Sequence, residues 1–355
     1  MKPTPRQISA QIAKGKFVPH TGLTRMALAY FQNASNYFAK SIFPICKVDL
    51  SADNYYVFDK EDLLKDGWQR KPAYGKVNPV VLSEHTENYS VVVDQMIMGI
   101  DEIRQTDLNR RQAPGIANPR QQRTKAIAEQ ANIHQDILFA KSFFKPGVWS
   151  SEWSGIENVA PTGKQFIKFD NDNSDPIKFI QSRKRAMQRK TGRMPNKLAL
   201  GCDVFDALTQ HPAILERVVY GGTTANPADV TVNVLAQLFG VKEVKVLQSI
   251  HNKAEMGADA DMDFIADSTS MLLAYATDAP SVEEPSAGYI FTWDMLGDGQ
   301  ILPIFHYDGE NGTHSEYIEG LMASQMKQTA PDLAEFFTDV VNPIPAEEAE
   351  EEDEG

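Results

Sequence analysis

The sequence predicts an α+β protein, and three patterns indicate that class. Residues 175–247 alternate helical periodicity with short apolar runs, and residues 118–144 have the pattern of one long helix. β-branched and aromatic runs at 55–58, 89–93 and in the last third of the chain predict strands. With 355 residues, 42% of them apolar, the chain is long enough for two or three packed units.

The segment 175–247 has a start or stop signal at each element boundary. Asp175 and Pro176 predict a helix start, and Gly192 predicts its end. Lys197–Leu200 is expected to be a strand. Three further helices and a strand follow: a brief helix capped by Asp203 and reaching Leu208, one beginning at His211-Pro212, one from about Asp229 to Phe239, and a strand over 241–247.

The amino-acid sequence of this segment resembles that of a known family. It contains Lys190-Thr-Gly-Arg-Met-Pro-Asn196, then Leu198-Ala-Leu-Gly-Cys-Asp-Val-Phe-Asp-Ala-Leu208, then His211-Pro-Ala-Ile-Leu-Glu-Arg-Val218. These stretches, with 235–241, closely resemble the axial domain of tailed-bacteriophage major capsid proteins. The resemblance implies an HK97-type capsid fold with an N-terminal arm, an extended β-hairpin (E-loop), a long spine helix in a peripheral domain and an αβ axial domain.

A long hairpin is predicted over residues 51–103. The strand-like runs Tyr55–Phe58 and 89–93 flank a polar piece rich in Gly and Pro. An isolated hairpin is at best marginally stable in water, so its order predicts a partner. In the family this hairpin is the E-loop, which lies across the adjacent subunit.

Two further segments match the family outside the axial domain. Residues 1–50 carry scattered aromatic anchors without a continuous stripe, with a short helix expected from about Thr24 to Phe38; the resemblance implies an arm reaching over a neighbour. Asn118-Pro119 predicts the start of a helix that continues to Phe144, about 26 residues and about 39 Å long. Its stripe would hold Ile127, Ala131, His134 and Leu138, and it matches the spine helix.

The remaining elements complete a six-part division. A loop is expected over 149–164 and another over 252–263. Strands are expected at 270–276, 288–293, 301–307 and 313–318, then a short helix or turn over 331–341. The predicted division is 1–50 N-terminal arm, 51–103 hairpin, 104–174 peripheral domain with the spine helix, 175–285 axial domain, 286–341 peripheral return strands and 342–355 acidic tail.

Charge and composition exclude several classes of protein. The formal charge of −13 argues against tight general nucleic-acid binding, and seven of the residues 347–354 are acidic. We expect neither a signal peptide nor a membrane helix. Cys46 and Cys202 have no partner pattern and are expected to be small buried thiols in a reducing compartment.

The candidate chemical sites fit structural roles better than functional ones. Asp259, Asp261 and Asp263 begin like a calcium loop, but Phe264 and Ser270 occupy the positions of its glycine and glutamate. His306, Asp308 and His314 flank a predicted hairpin turn, where a metal site is the weaker alternative. His134 is expected to be a hydrogen-bonded core residue, and Gly221-Gly222 to be a loop without the lysine of a phosphate cradle. We therefore expect no catalytic site, metal or cofactor, and no enzyme.

The predicted function is that of a major capsid protein whose copies assemble into the icosahedral shell around the double-stranded DNA of a tailed phage. An encapsulin-type shell is the main alternative, and a soluble αβ enzyme is a third. The expected partners are further copies in pentamers and hexamers, a separate scaffolding protein, a portal, packaged DNA held without sequence specificity and, as an open alternative, decoration proteins. We expect the protein in the virion, and in host cytoplasm during assembly. Inter-subunit contacts are assigned to Tyr55, Tyr56, Phe58, Lys60, Trp68, Arg183, Arg185 and Arg189.

Overall fold

The structure, a computed structural model, covers most of the chain. It describes residues 36–58, 64–71, 73–78, 80, 83–103, 106, 119–157, 160–221, 230–255, 257–259, 261–278, 280, 285–296 and 300–344. Four features identified in the sequence fall outside these residues: the predicted arm before residue 36, the helix start at Asn118, the loop residue Gly222 and the acidic residues 347–354.

Six helices and fifteen strands lie wholly within the described part of the chain. The helices are α1 (Ala39–Ile42), α2 (Pro119–Ser142), α3 (Pro176–Thr191), α4 (Cys202–Gln210), α5 (Pro212–Gly221) and α6 (Val232–Phe239). The strands are β1 (Ile45–Val48), β2 (Ala52–Phe58), β3 (Glu84–Ser90), β4 (Val92–Asp101), β5 (Ser151–Ile156), β6 (Gln165–Ile167), β7 (Lys197–Leu200), β8 (Glu243–Val246), β9 (Ile250–Asn252), β10 (Met262–Phe264), β11 (Met271–Ala274), β12 (Gly288–Trp293), β13 (Ile304–Asp308), β14 (Ser315–Gln328) and β15 (Ala334–Thr338).

One compact unit comprises the described residues within 25–45, 117–290 and 328–355. Its six-stranded sheet has the order β6-β5-β15-β11-β7-β8, with β5 parallel to both β6 and β15, and β11 antiparallel to both β15 and β7. Helices α3 to α6 contribute to one hydrophobic core with this sheet, including the fully buried Ile180, Leu200, Leu235 and Phe337. The sheet takes strands from all three of the ranges 104–174, 175–285 and 286–341. The predicted division of the chain at those boundaries stays a prediction.

The local signals in this unit explain where its helices begin and end. The Asp175 carboxylate accepts a hydrogen bond from Lys178 N at 3.0 Å, and Gly192 ends α3 at a φ of +75°, as predicted. Helix α6 begins after Thr231, later than the predicted Asp229, and ends at Gly240. Helix α4 begins after Gly201; Asp203 lies in its first turn, where its carboxylate accepts from Ser268 Oγ at 2.7 Å.

The other compact unit comprises the described residues within 1–24, 46–116 and 291–327. Strands β2 and β3 form a two-stranded antiparallel sheet of their own. The 14-residue strand β14 pairs with β13 and, over Ser315–Ser324, with β4; β12 and β1 continue the sheet. The predicted turn at 308–312 does join β13 to β14.

Several predicted elements are wrong in detail. The loop expected over 149–164 contains β5, the loop expected over 252–263 includes β10, and the helix or turn expected over 331–341 is one 3-10 turn followed by β15. Residues 36–38, predicted to end a helix, are not helical. Strand β15 lies between β5 and β11 and buries four successive residues, 334–337, so its sequence lacks the alternation that marks a strand with one exposed face.

Candidate assembly surfaces

The predicted hairpin is confirmed, but the predicted strand run 89–93 is wrong in detail: Tyr55–Phe58 pairs with residues 84–87, and residues 92–93 belong to β4. Ala52 pairs with Ser90, and the register continues without a break to Phe58 and Glu84. Tyr56 and Phe58 lie in β2, although their side chains are outside the described part of the structure, as is all of Lys60. A two-stranded sheet cannot enclose a core of its own, so neighbouring structure must hold it.

The segment that joins these strands displays large apolar side chains to solvent. Trp68 is 94% exposed, and Leu64, Tyr74 and Val80 are also exposed. A group of this size on one short segment is unusual for a surface that stays in water. Trp68 is one of the inter-subunit contact residues predicted from the sequence. The exposure of its side chain is compatible with a contact to another molecule.

The base of the hairpin is anchored by one cation and one carboxylate. Lys327 Nζ lies 3.0 Å from a Glu87 carboxylate oxygen, which also accepts from the Tyr55 hydroxyl at 2.8 Å. Lys327 also lies 5.2 Å from the Tyr55 ring centroid. Burial alone would raise the pKa of Glu87, but the hydrogen bonds from Lys327 and Tyr55 hold it below its usual value. Tyr55 therefore has a role within its own chain at the hairpin base.

Aromatic stacking reinforces this base. The rings of Tyr89 and Phe291 stack with centroids 4.9 Å apart, and Tyr55 lies 6.0 Å from Phe291. Ser90 N donates to Gln325 Oε1 at 2.8 Å. The contacts to β12 and β14 thus fix where the hairpin leaves its unit.

Residues 38 and 39, near the end of the segment predicted to be an N-terminal arm, are attached to helix α2 by Asp136. Its carboxylate accepts from Ala39 N at 2.9 Å, from Phe38 N at 3.2 Å and from the Ser249 hydroxyl. The carboxylate therefore satisfies the free N–H groups at the start of α1, which has no cap from its own N-cap residue. Burial raises the pKa of Asp136, and the three hydrogen bonds and Lys40 oppose that rise.

Aromatic packing supplies the apolar part of the same attachment. Phe43 lies 4.7 Å from Phe143 and 5.7 Å from Phe139, centroid to centroid, and Trp149 Nε1 donates to Phe143 O at 2.7 Å. All four aromatic side chains are buried. Ile127 and Ala131 lie on the buried face of α2 as predicted, whereas His134 and Leu138 are half-buried. The buried face instead continues through Gln135, Asp136 and Phe139.

Three cations of the basic helix α3 are used inside the chain. Arg183 makes two 2.8 Å hydrogen bonds to the Glu335 carboxylate and stacks 4.1 Å above the Trp153 ring. Lys184 Nζ donates to the carbonyls of Phe239 and Gly240, where α6 ends, and Lys190 pairs with Asp332 at 2.6 Å. Arg185 and Arg189 are exposed on the same helix. Of the three predicted contact residues on α3, these two present their charge to solvent.

Side chains of the candidate chemical sites make contacts within the chain. No group of three or more His, Cys, Asp or Glu side chains that could hold a metal occurs among the described residues. His306 pairs with Glu316 on the neighbouring strand, and Asp263 pairs with Lys253. Both cysteines are half-buried free thiols whose pKa values are raised by burial.

One serine–histidine pair, not predicted from sequence, has the wrong polarity for a catalytic dyad. Ser174 Oγ lies 3.0 Å from His211 Nε2, and Ala213 N donates to His211 Nδ1 at 3.1 Å. The acceptor role of Nδ1 places the neutral ring's proton on Nε2, so His211 donates to Ser174 and does not act as its base. His211 instead caps the start of α5. Among the described helices, none has the length and apolar character needed to cross a bilayer.

Comparison with known proteins gives one sequence relative and clear structural neighbours. No protein-family model matches the sequence. The major capsid protein of Burkholderia phage BcepMu is 24% identical over 284 residues, which cover 75% of this chain and 81% of that protein. A phage-related protein of Bordetella bronchiseptica RB50 has a TM-score of 0.68 at 21% identity, covering 92% of this chain and 99% of the other. A virus-like particle protein of Pyrococcus furiosus has a TM-score of 0.50 at 10% identity, covering 90% and 100%.

The fold, with its two-stranded hairpin, long helix α2 and αβ unit around α3, is the HK97-type fold of viral capsid proteins. The sequence is similar to the major capsid protein of one bacteriophage, at 24% identity over 75% of this chain. The predicted fold class is confirmed.

Proposed function

We propose that many copies of this chain form the pentamers and hexamers of a closed icosahedral shell around the double-stranded DNA genome of a tailed phage. The proposed role is structural, without a catalytic step. Assembly would take place in host cytoplasm with a separate scaffolding protein and a portal, and the inner face would meet DNA without reading its sequence.

The observation that carries this proposal is the exposed apolar segment between β2 and β3. Trp68 and Tyr74 each present nearly their whole side chain to solvent. Burial of a large aromatic side chain contributes about 1.5–3 kcal/mol. A neighbouring copy that covers this segment would recover that free energy at every repeat of the contact, and several weak contacts per subunit act together in a closed shell.

The anchored base explains how such a hairpin would act in assembly. The contacts of Glu87 with Lys327 and Tyr55 hold the base, so that the exposed segment is presented from a fixed origin. The conformational entropy that the segment loses on binding is then smaller than for a free loop. Arg185 and Arg189 provide a second proposed contact surface, because exposed charge is an efficient determinant of which partner surface fits.

The proposal is tested by expressing the chain and imaging the purified protein by electron microscopy. We expect closed shells, with the scaffolding protein supplied if needed, and Trp68→Ser to lower the yield of shells. A matched control is Trp293→Ser. The Trp293 indole nitrogen donates to Asp49 O within the same chain at 3.0 Å. This change should lower the free energy of unfolding and leave the inter-subunit contact of Trp68 unchanged. Shells that hold an enzyme and exclude DNA would support the encapsulin alternative, and a stable monomer with enzymatic activity would contradict both.

A further inference from the structure

A second, smaller hairpin in the αβ unit also exposes an apolar face. Among the described strands, β9 and β10 pair only with each other, in the register Ile250–Phe264, His251–Asp263 and Asn252–Met262. Directly paired residues share one face of a sheet, and neighbours along a strand alternate. Ile250, Met262 and Phe264 therefore share one face with Asn252.

This β9–β10 face (Ile250, Met262 and Phe264) is open to solvent. The three residues are 48%, 58% and 37% exposed. Three large apolar side chains on a sheet of two short strands are characteristic of an interaction surface.

The turn beside this face carries net negative charge. Lys253 is paired with Asp263, and their hydrogen bond raises the pKa of Lys253 and lowers that of Asp263. Glu255, Asp259 and Asp261 are exposed on the same turn. A partner for this hairpin therefore has to offer apolar contact next to positive charge.

The chain itself carries a surface of that kind. Arg185 and Arg189 form the exposed basic patch of α3, since Arg183, Lys184 and Lys190 are engaged internally. Met194, two residues beyond the Gly192 that ends this helix, is 46% exposed. Charge complementarity thus favours a second copy of this chain as the partner.

We propose that the β9–β10 face of one copy docks on the basic patch of another, with the acidic turn facing Arg185 and Arg189. The two surfaces are different parts of each copy, so the contact is heterologous and can propagate around a ring. This inference rests on the proposed shell function, and it adds an interface that involves neither the β2–β3 hairpin nor the N-terminal arm.

Reciprocal charge reversal tests the pairing. One variant carries Asp259→Lys with Asp261→Lys, and the other carries Arg185→Glu with Arg189→Glu. The readout is the subunit concentration at which half of the protein is in particles, measured by sedimentation. We expect each variant to raise this concentration at least about tenfold, equivalent to about 1.4 kcal/mol per subunit. The four-substitution chain should return to within about threefold of the unsubstituted protein, because the reversed charges attract again.

The apolar component is tested separately with Met262→Ser plus Phe264→Ser. This variant should show a similar rise, whereas Leu215→Ser should not, because Leu215 has an exposure close to that of Phe264 but lies on α5. Recovery in the four-substitution chain excludes misfolding as the cause of the losses.

Outcomes for the interface and for the shell function are distinguishable. If the unsubstituted protein forms shells and the charge-reversal variants assemble at its concentration, the docking proposal is wrong and the shell function stands. The docking proposal is also wrong if the four-substitution chain assembles no better than the two variants from which it is combined. If the unsubstituted protein forms no particles, the proposed function itself fails and this contact fails with it.

Discussion

Asp136 should be the residue that holds the end of the arm on the spine helix, and its replacement by alanine has a calculable effect. The substitution removes the acceptor for Phe38 N, Ala39 N and the Ser249 hydroxyl. A buried donor left without an acceptor costs about 1–3 kcal/mol, so the two backbone N–H groups alone set a range of about 2–6 kcal/mol.

Two features of the site reduce that range. Water can reach the freed groups, because a cavity of about 270 Å³, whose lining includes the polar side chains of Lys40, Asn132 and Asp136, lies beside them. Removing Asp136 also relieves the desolvation of a buried carboxylate, the effect that raises its pKa. We therefore expect Asp136→Ala to lower the free energy of unfolding by about 2–4 kcal/mol.

Asp136→Asn is the matched control. The amide oxygen can still accept from Phe38 N and Ala39 N, and the amide nitrogen can donate to Ser249, so the loss should be below about 1 kcal/mol. Denaturant unfolding of unassembled subunits gives the free energies, and hydrogen exchange at the amides of Phe38 and Ala39 gives the local effect. The alanine variant should lose protection there by roughly five- to a hundredfold. Equal stability and equal protection in the two variants would refute the role given to Asp136.

Three further predictions concern other parts of the chain. Lys327→Met combined with Glu87→Gln in a double-mutant cycle should give a coupling energy of about 0.5–1 kcal/mol, because the pair is partly exposed. Burial lowers the pKa of Lys40 from 10.5 to about 7; between these values the unfolded chain holds more protons, so stability should rise with pH from about 7 to 10.5, and Lys40→Met should flatten that rise. Gly155→Ala should destabilise by more than about 2 kcal/mol, since the new methyl carbon would lie 1.9 Å from the Asp339 carbonyl oxygen.

Each of these predictions has its own control. The cycle includes both single variants, and a coupling energy indistinguishable from zero would remove the anchoring role of Lys327. Lys141→Met, at the last turn of α2, is the comparison for the pH slope; an unchanged slope in the Lys40 variant would contradict the assigned pKa. Gly163→Ala tests glycine loss at a position with open space, so its effect isolates the left-handed backbone conformation from the steric contact predicted at Gly155. An alanine tolerated at position 155 would refute the close approach there.

Local signals predicted most of the αβ unit. Asp175 with Pro176 and the glycines at 192 and 240 act within a few residues of themselves, and α3 and α6 end where these signals predict. Strands β5 and β15 were missed because their identity depends on partners about 180 residues away in the sequence. No local pattern contains that information.

The assembly surfaces were predictable in location and less so in residue roles. The sequence located the β2–β3 hairpin and the basic helix, but it could not show that Arg183 is bound to Glu335 or that Tyr55 helps to anchor the hairpin base. Asp136 offered one available signal, a carboxylate between Ile133 and Ile137 on the long helix predicted from the sequence. The donors that its carboxylate accepts from lie 97 or more residues away on one side and 113 on the other, so only the fold identifies them.

The most direct measurement is electron microscopy of the purified full-length chain above and below its assembly concentration. We expect closed, uniform shells in which density from an adjacent copy covers Trp68. Particles that never form under any condition, or shells in which Trp68 stays in solvent, would contradict the proposed role of the hairpin in assembly.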